Sequence, residues 1–336
     1  MKTTLAVLIL LMSFQISTVT MTAQTNKPVL FEMFTNSHCG PCGSAYGIIN
    51  SQLKTSQYAD DIVYIFYHVS VYTDDKLFQE SRTESNPRAS NYGVGSTPTV
   101  FIDGVRTGSS NWVSTIGART QKSQSITFNP TVLMTNTSLE IDISATSPTD
   151  IPNAKLSVAI VENVNYKGRN NVSQHQYVMR TMPTTPAGKD ISLQANQPNQ
   201  STYSVPLNSV WNKDSIGVVF FIQDATTREV YGSEILRFDE ISKVTSVDNK
   251  PTLPIAITQS ENQTTFSFES PISTTATLQI FDILGNSVFS SDFAIQQQQQ
   301  KIDWNHTFSN GNTAPNGVYL YKLNIGMFQS TGKFSK

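Results

Sequence analysis

The sequence predicts an α/β layer domain followed by two all-β sandwich domains. Three observations carry this reading. Between residues 27 and 122, apolar strand-like runs alternate with stretches of helical spacing. From about residue 124 onward, short alternating segments are separated by Pro, Asn, Thr and Gly, the pattern of β-sandwiches. A polar stretch at 242–252 divides the β-rich half in two. The expected boundaries are a leader at 1–23, an α/β domain at 24–123, sandwiches at 124–241 and 253–336, and a linker at 242–252.

Taken in order, Lys2 and the apolar run 5–12 have the form of a secretory signal, with cleavage near Ala23. That run is too short to span a bilayer, and no later one reaches about 18 apolar residues, so no transmembrane segment is expected. Residues 28–34 read as a buried strand. Tyr46, Ile49 and Leu53 place a helix over 43–57. Residues 62–67 form a second buried strand, and 75–92 are helical in parts. Thr99, Val100, Phe101 and Ile102 run into Asp103-Gly104, a strand entering a hairpin turn. Residues 111–122 close the layer with an amphipathic helix.

The β-rich half contains strands at 139–143, 156–160 and 217–223, the last the most apolar. Trp211, Tyr203 and Phe221 are expected in its core, whereas His175 and His306 fall in expected loops, solvated. In the final domain 278–286 is a strand and turn, 317–323 a late strand, and the glutamine run 296–300 an exposed loop.

Lys plus Arg number 23 and Asp plus Glu 25, so the chain has no broad basic field and no nucleic-acid partner is expected. Charged residues make up 14% of the chain, well below the usual quarter, with Ser, Thr, Asn and Gln in their place, as suits exported β-rich domains. There are 2 cysteines, too few for a disulfide scaffold or a four-thiolate metal site.

Both cysteines lie in Cys39-Gly40-Pro41-Cys42, after a strand and at the start of a helix. A helix N-terminus favours a thiolate through its dipole and free N–H groups. A second thiol one turn on can resolve a mixed disulfide. Pro41 costs no needed hydrogen bond so early in a helix. Competing readings are half of a zinc site that would need two more ligands, with His38 and His68 nearby, an inert structural disulfide, and a redox-dead relic.

The tetrapeptide resembles the thioredoxin active site, and residues 92–104, with Thr97-Pro98, resemble that family's cis-proline loop and hairpin. The resemblance implies a thioredoxin-like fold for 24–123 and a Cys39–Cys42 dithiol/disulfide. It also implies a cis Thr97–Pro98 bond facing the cysteines, and pairing of the Thr97 backbone with an extended substrate. Thioredoxins carry a buried acid on the matching strand, which implies a proton-relay role for Glu32. His38 stands where that family usually has Trp, so His38, Gly40, Pro41 and Thr97 form the expected docking surface. No metal is expected.

Residues 27–240 resemble the Omp28-related family of Bacteroidetes surface proteins, most closely over 220–230. Residues 253–336 resemble the type A sorting domain of the type IX secretion system through 281–285, 316–319 and Gly332-Lys333-Phe334. The domain order resembles haemin-binding thioredoxin-like surface proteins of oral Bacteroidetes. These resemblances imply export to the cell surface or outer membrane, with the type IX machinery as a partner. They frame two functions. One is a thiol–disulfide oxidoreductase acting on protein thiols, with no required cofactor and no fixed direction of electron flow. The other is a binding or adhesion module with haem as candidate ligand, near His38, Cys39, Cys42, Tyr46 or His68.

Overall fold

The computed structural model describes residues 27–122, 126–243, 252–270, 274–296, 298–326 and 328–336. The expected signal segment and most of the 242–252 linker lie outside the described residues.

Strand β1 (Val29–Thr35) is buried along its whole length. Its side chains alternate between two faces. Val29, Phe31 and Met33 join a core cluster with Ala45, Tyr46 and Ile116, whereas Leu30 and Phe34 join another. Helix α1 (Gly40–Ile48) follows and continues into one π turn, Ile49–Leu53. Strand β2 (Ile62–His68) runs parallel to β1. Helices α2 (Lys76–Gln79) and α3 (Arg82–Asn91) occupy the expected helical region. Strand β3 (Thr99–Ile102) is antiparallel to β1, and it turns through Asp103 and Gly104, both with positive φ, into β4 (Val105–Arg106). Helix α4 (Trp112–Thr120) sets Trp112 edge-on to Phe31 at 5.3 Å.

The next unit follows as β5 (Thr127–Met134), β6 (Ser138–Thr146), β7 (Ile151–Asn165), β8 (Gln174–Thr181), β9 (Lys189–Leu193), β10 (Asn199–Pro206), a short 3-10 turn at Lys213–Ser215, β11 (Ile216–Asp224), β12 (Val230–Leu236), a second 3-10 turn at Phe238–Glu240 and β13 (Ser242–Lys243). One sheet has the order β10-β6-β5-β13. The remaining strands are continuous with the first unit: β8 lies parallel to β2, with Phe66 opposite Val178. A single sheet therefore runs β12-β11-β7-β8-β2-β1-β3-β4, with β9 attached to β7.

This continuity explains why 217–223 is apolar without alternation. Val218, Phe220 and Ile222 fill the core shared with the β10-β6-β5-β13 sheet. Val219 and Phe221 fill the cluster containing Leu30, Phe34 and Tyr67. A strand buried on both faces has no polar side to show. Trp211 and Tyr203 pack with the first cluster and Phe221 with the second.

The last unit comprises β14 (Ala256–Gln259), β15 (Thr264–Glu269), β16 (Thr274–Phe281), β17 (Ser287–Ile295), β18 (Gln299–Trp304), β19 (Val318–Ile325) and β20 (Phe328–Ser335). Two sheets, β14-β15-β18 and β17-β16-β19-β20, enclose a core around Trp304. The architecture is thus a mixed α/β unit followed by β-sheet units.

Three expectations are corrected. His175 is not a solvated loop residue: it lies in β8 and is fully buried. His306 is buried too, with its Nε2 2.9 Å from Thr264 Oγ1. The glutamine run is not all loop, since Gln299 and Gln300 pair with Glu269 and Phe268 and so open β18.

Candidate functional site

Cys39 is the N-cap of α1, and Pro41 sits in its first turn. The cap carries no side-chain hydrogen bond, so the sulfur end of α1 keeps its positive dipole uncompensated by an acid. Cys39 and Cys42 are joined in a disulfide with Cα atoms 5.3 Å apart. Cys42 is wholly buried, whereas Cys39 keeps 4% of its surface and is flanked by exposed Gly40 and Pro41.

The Thr97–Pro98 bond is cis, as the sequence predicts. Thr97 O lies 3.7 Å from Cys39 Sγ, and Thr97 Oγ1 donates to that sulfur at 3.4 Å. Two open clefts adjoin the Thr97–Pro98 turn. One, of about 280 Å³, is lined by Pro41, Ser44, Pro98, Arg106 and Trp112. The other, of about 390 Å³, is lined by Val69, Val71, Asn86, Ser96 and Thr97. Val71 and Tyr72 are among the exposed apolar side chains at this end.

The loop before the cysteines is tightly held. Asn36 donates to Val69 O at 2.8 Å and accepts from His38 N at 2.9 Å. Asp75 accepts from Ser37 N at 2.9 Å, Ser37 Oγ at 2.6 Å and Leu77 N at 3.0 Å, and its Oδ2 is 2.9 Å from His68 Nδ1. Burial alone would raise the Asp75 carboxyl, but the bonds from His68 and Ser37 outweigh it and hold it well below the usual carboxylate range. His38 is fixed between Asp74, 3.3 Å from Nδ1, and Tyr166, 3.4 Å from Nε2.

Tyr166 comes from the loop that joins β7 to β8, in the second unit. The same loop brings Asn170 N onto Ser37 O at 3.0 Å. Gly168 has to be glycine here, because a Cβ would collide with the Ser37 backbone. Gly43 meets Asn170 O in the same way. The β-rich unit thus supplies one wall of the cysteine loop. Sequence reasoning missed Asp75, Tyr166, Gly168 and Asn170, and placed His175 wrongly.

Glu32 is brought to a different place. It shares the β1 face of Leu30 and Phe34, opposite the Phe31 and Met33 face that packs on α1. Its carboxylate accepts from Arg88, Tyr67 and Tyr92. The implied relay to Cys42 is therefore corrected: side-chain alternation turns this acid away from the helix that carries the cysteines. Among the described residues, no group of three His, Cys, Asp or Glu side chains is placed to hold a metal.

Comparison with known proteins follows this architecture. Residues 86–234 match the family model of outer membrane protein Omp28, and residues 260–336 match the secretion system C-terminal sorting domain. The chain is an exported, cell-surface or secreted protein. More narrowly, it is Omp28-related over the first of these segments and carries a type IX secretion sorting domain over the second. The Omp28 match includes Thr97, Pro98 and the 220–230 stretch but not Cys39 or Cys42. HBP35 of Porphyromonas gingivalis has a similar fold, with a TM-score of 0.55 at 12% identity, over 93% of this chain and 98% of that one. A domain of the outer membrane lipoprotein Omp28 from the same organism aligns with a TM-score of 0.26 at 17% identity, over 37% of this chain and 93% of that one. No curated protein matches the sequence. No helix among the described residues is long and apolar enough to cross a membrane.

Proposed function

We propose that the protein is a surface thiol–disulfide oxidoreductase whose 24–123 region is thioredoxin-like. The observation that carries this is the placement of Cys39 Sγ at the N-terminus of α1, beside the Thr97 backbone, with one open cleft lined by Pro41 and Pro98 and another by Thr97. An extended substrate lies along Thr97, with its own sulfur at Cys39. A substrate thiolate attacks Cys39 Sγ, the Cys39–Cys42 bond breaks, and Cys42 leaves with the electron pair. A second substrate thiolate then attacks the substrate sulfur of the mixed disulfide and releases Cys39 thiolate. Two electrons pass from substrate to protein, and the reverse sequence reduces a substrate disulfide.

Export and the sorting domain support a display role alongside this chemistry, the binding-module alternative. For haem, the two sulfurs bond each other and His38 is held by Asp74 and Tyr166, whereas Tyr46 and His68 are buried.

Turnover of a dithiol peptide and of an insulin disulfide, compared between wild type and the Cys39→Ser/Cys42→Ser double variant, tests the proposal. Activity lost in the double variant supports it, and equal rates would remove it. Haem titration of the same pair tests the alternative.

A further inference from the structure

The two clefts beside Cys39 differ in charge. Thr97 lines one and Pro98 the other, although the two residues are consecutive. A peptide laid along this turn therefore adjoins both. The cleft on the Thr97 side, about 390 Å³, has no charged residue in its wall, which includes Val69, Val71, Asn86 and Val94. The cleft on the Pro98 side, about 280 Å³, has apolar walls at Pro41, Ile48, Val100 and Trp112. One charged residue lines it, Arg106 of β4.

Arg106 is exposed, and its guanidinium enters no ion pair and no hydrogen bond among the described residues. Arg119 of the neighbouring α4, by contrast, is engaged by Glu229. The surrounding chain offers Arg106 no carboxylate. Every residue lining the cleft falls within 40–59 or 93–122. The first of these segments contains no Asp or Glu, and the second contains Asp103 alone. Asp103 is wholly buried and bonded to Lys27 Nζ at 2.6 Å. Helix α1, which forms another wall, has no acid in its first turn.

The hydroxyls of Ser44 and Ser109 also line this cleft, exposed and without a protein partner among the described residues. The cleft thus presents a free guanidinium and two free hydroxyls beside apolar walls. A guanidinium offers a planar fork of N–H donors that matches a carboxylate. Apolar walls lower the local dielectric and strengthen that attraction relative to open water. A cationic side chain in the same place meets Arg106 with no acid to offset it.

We infer that the Arg106 cleft is a specificity subsite for a carboxylate. The favoured substrates are extended segments in which Asp or Glu neighbours the reacting cysteine. This rests on the oxidoreductase reading above and names the substrate class within it. Arg106 binds substrate away from the reacting sulfur and takes no part in the bond exchange. The preference therefore holds for either direction of electron flow.

The test uses the prereduced full chain and symmetric disulfide dimers of one short peptide, with Glu, Gln or Lys beside its single cysteine. Cys39 thiolate attacks one peptide sulfur and displaces the other peptide as a thiolate. Cys42 thiolate then attacks Cys39 Sγ, forms the Cys39–Cys42 bond and releases the second peptide. Two electrons pass from protein to peptide, and the displaced thiolates take their protons from solvent. The rate of peptide release is expected to be about two- to fivefold higher for Glu than for Lys, the range of one exposed ion pair. Arg106→Gln should remove this difference, and dividing by its ratio removes any effect of peptide charge on the thiol itself. Arg106→Glu should reverse the order.

The same peptides with serine in place of cysteine, followed by fluorescence anisotropy, read the cleft without any exchange. A Glu-over-Lys preference that Arg106→Gln abolishes, in rate or in affinity, supports the subsite. Its absence from both overturns the subsite. A binding preference without reduction of any peptide supports the subsite and sinks the oxidoreductase reading. Reduction at rates indifferent to peptide charge, with affinities equally indifferent, does the reverse.

Discussion

Arg88 Nη2 meets Glu32 Oε1 at 2.8 Å in a pair buried on the face of β1 turned away from the cysteines. Tyr67 and Tyr92 donate to the same carboxylate at 2.9 and 2.6 Å, and Arg88 continues to Gln223 of β11 at 3.0 Å. The acid in the first strand thus joins the α/β unit to the β-rich unit. Breaking a buried pair from one side leaves an uncompensated charge. Arg88→Met is expected to destabilise the chain by about 3–5 kcal/mol in urea unfolding. Glu32→Gln should leave the pH profile of Cys39 alkylation where it is, and a displaced profile would return this acid to the thiol chemistry.

Reduced protein should be alkylated first at Cys39. Its helix-cap position favours the thiolate, and of the two cysteines only Cys39 keeps any accessible surface. Iodoacetamide followed by peptide mapping should find Cys39 labelled below the ordinary thiol value of about 8.5, with Cys42 lagging. Cys42→Ser should accumulate mixed disulfides, whereas Cys39→Ser should form none. Preferential labelling of Cys42 would exchange the two roles.

Asp142 predicts a stability that depends on pH in the less usual direction. Burial raises its carboxyl to about 6, and its Oδ2 has no partner. The folded value lies above the unfolded one, so the folded state binds the proton more tightly. The cost of burying the charge is therefore fully present above about pH 6. It fades as the pH falls through that value toward the unfolded one. Asp142→Asn should gain about 1–2 kcal/mol at pH 8, after allowance for partial solvation, and almost nothing near pH 4. Thermal unfolding at the two pH values checks the difference, and a uniform gain would assign the effect to packing.

What could be read in the sequence was what is local. The cysteine tetrapeptide, the Thr97-Pro98 turn and the buried first strand lie within short windows. The face on which Glu32 falls depends on the period-two phase of β1, where Phe31 and Met33 already claim the helix side. Asp75, His68 and His175 belong to three separate elements, so no local pattern marks them as neighbours. The resemblance at 220–230 pointed to a real feature without its meaning. Gln223 reaches Arg88, Glu229 pairs with Arg119 and Lys122, and the Val230 carbonyl accepts from Lys27 at 3.0 Å. That stretch latches the second unit onto the first, which only the folded chain reveals.

Residues 253–336 should act as a separable address. Their two sheets close on a core of their own, in which Trp304 is fully buried between Phe334, Tyr319 and His306 and donates to Thr307 O at 3.0 Å. No cysteine lies in this segment, so it has no direct part in thiol chemistry. Deleting 253–336 should leave disulfide turnover of the purified remainder within about twofold, while abolishing surface display in the native host. Trp304→Ala is a finer probe: it should cost the terminal unit about 3–5 kcal/mol through the cavity it leaves, without changing Cys39 reactivity. A truncated chain that still reached the surface would refute the sorting role. One that exported normally but lost turnover would show instead that the terminal unit supports the cysteine site.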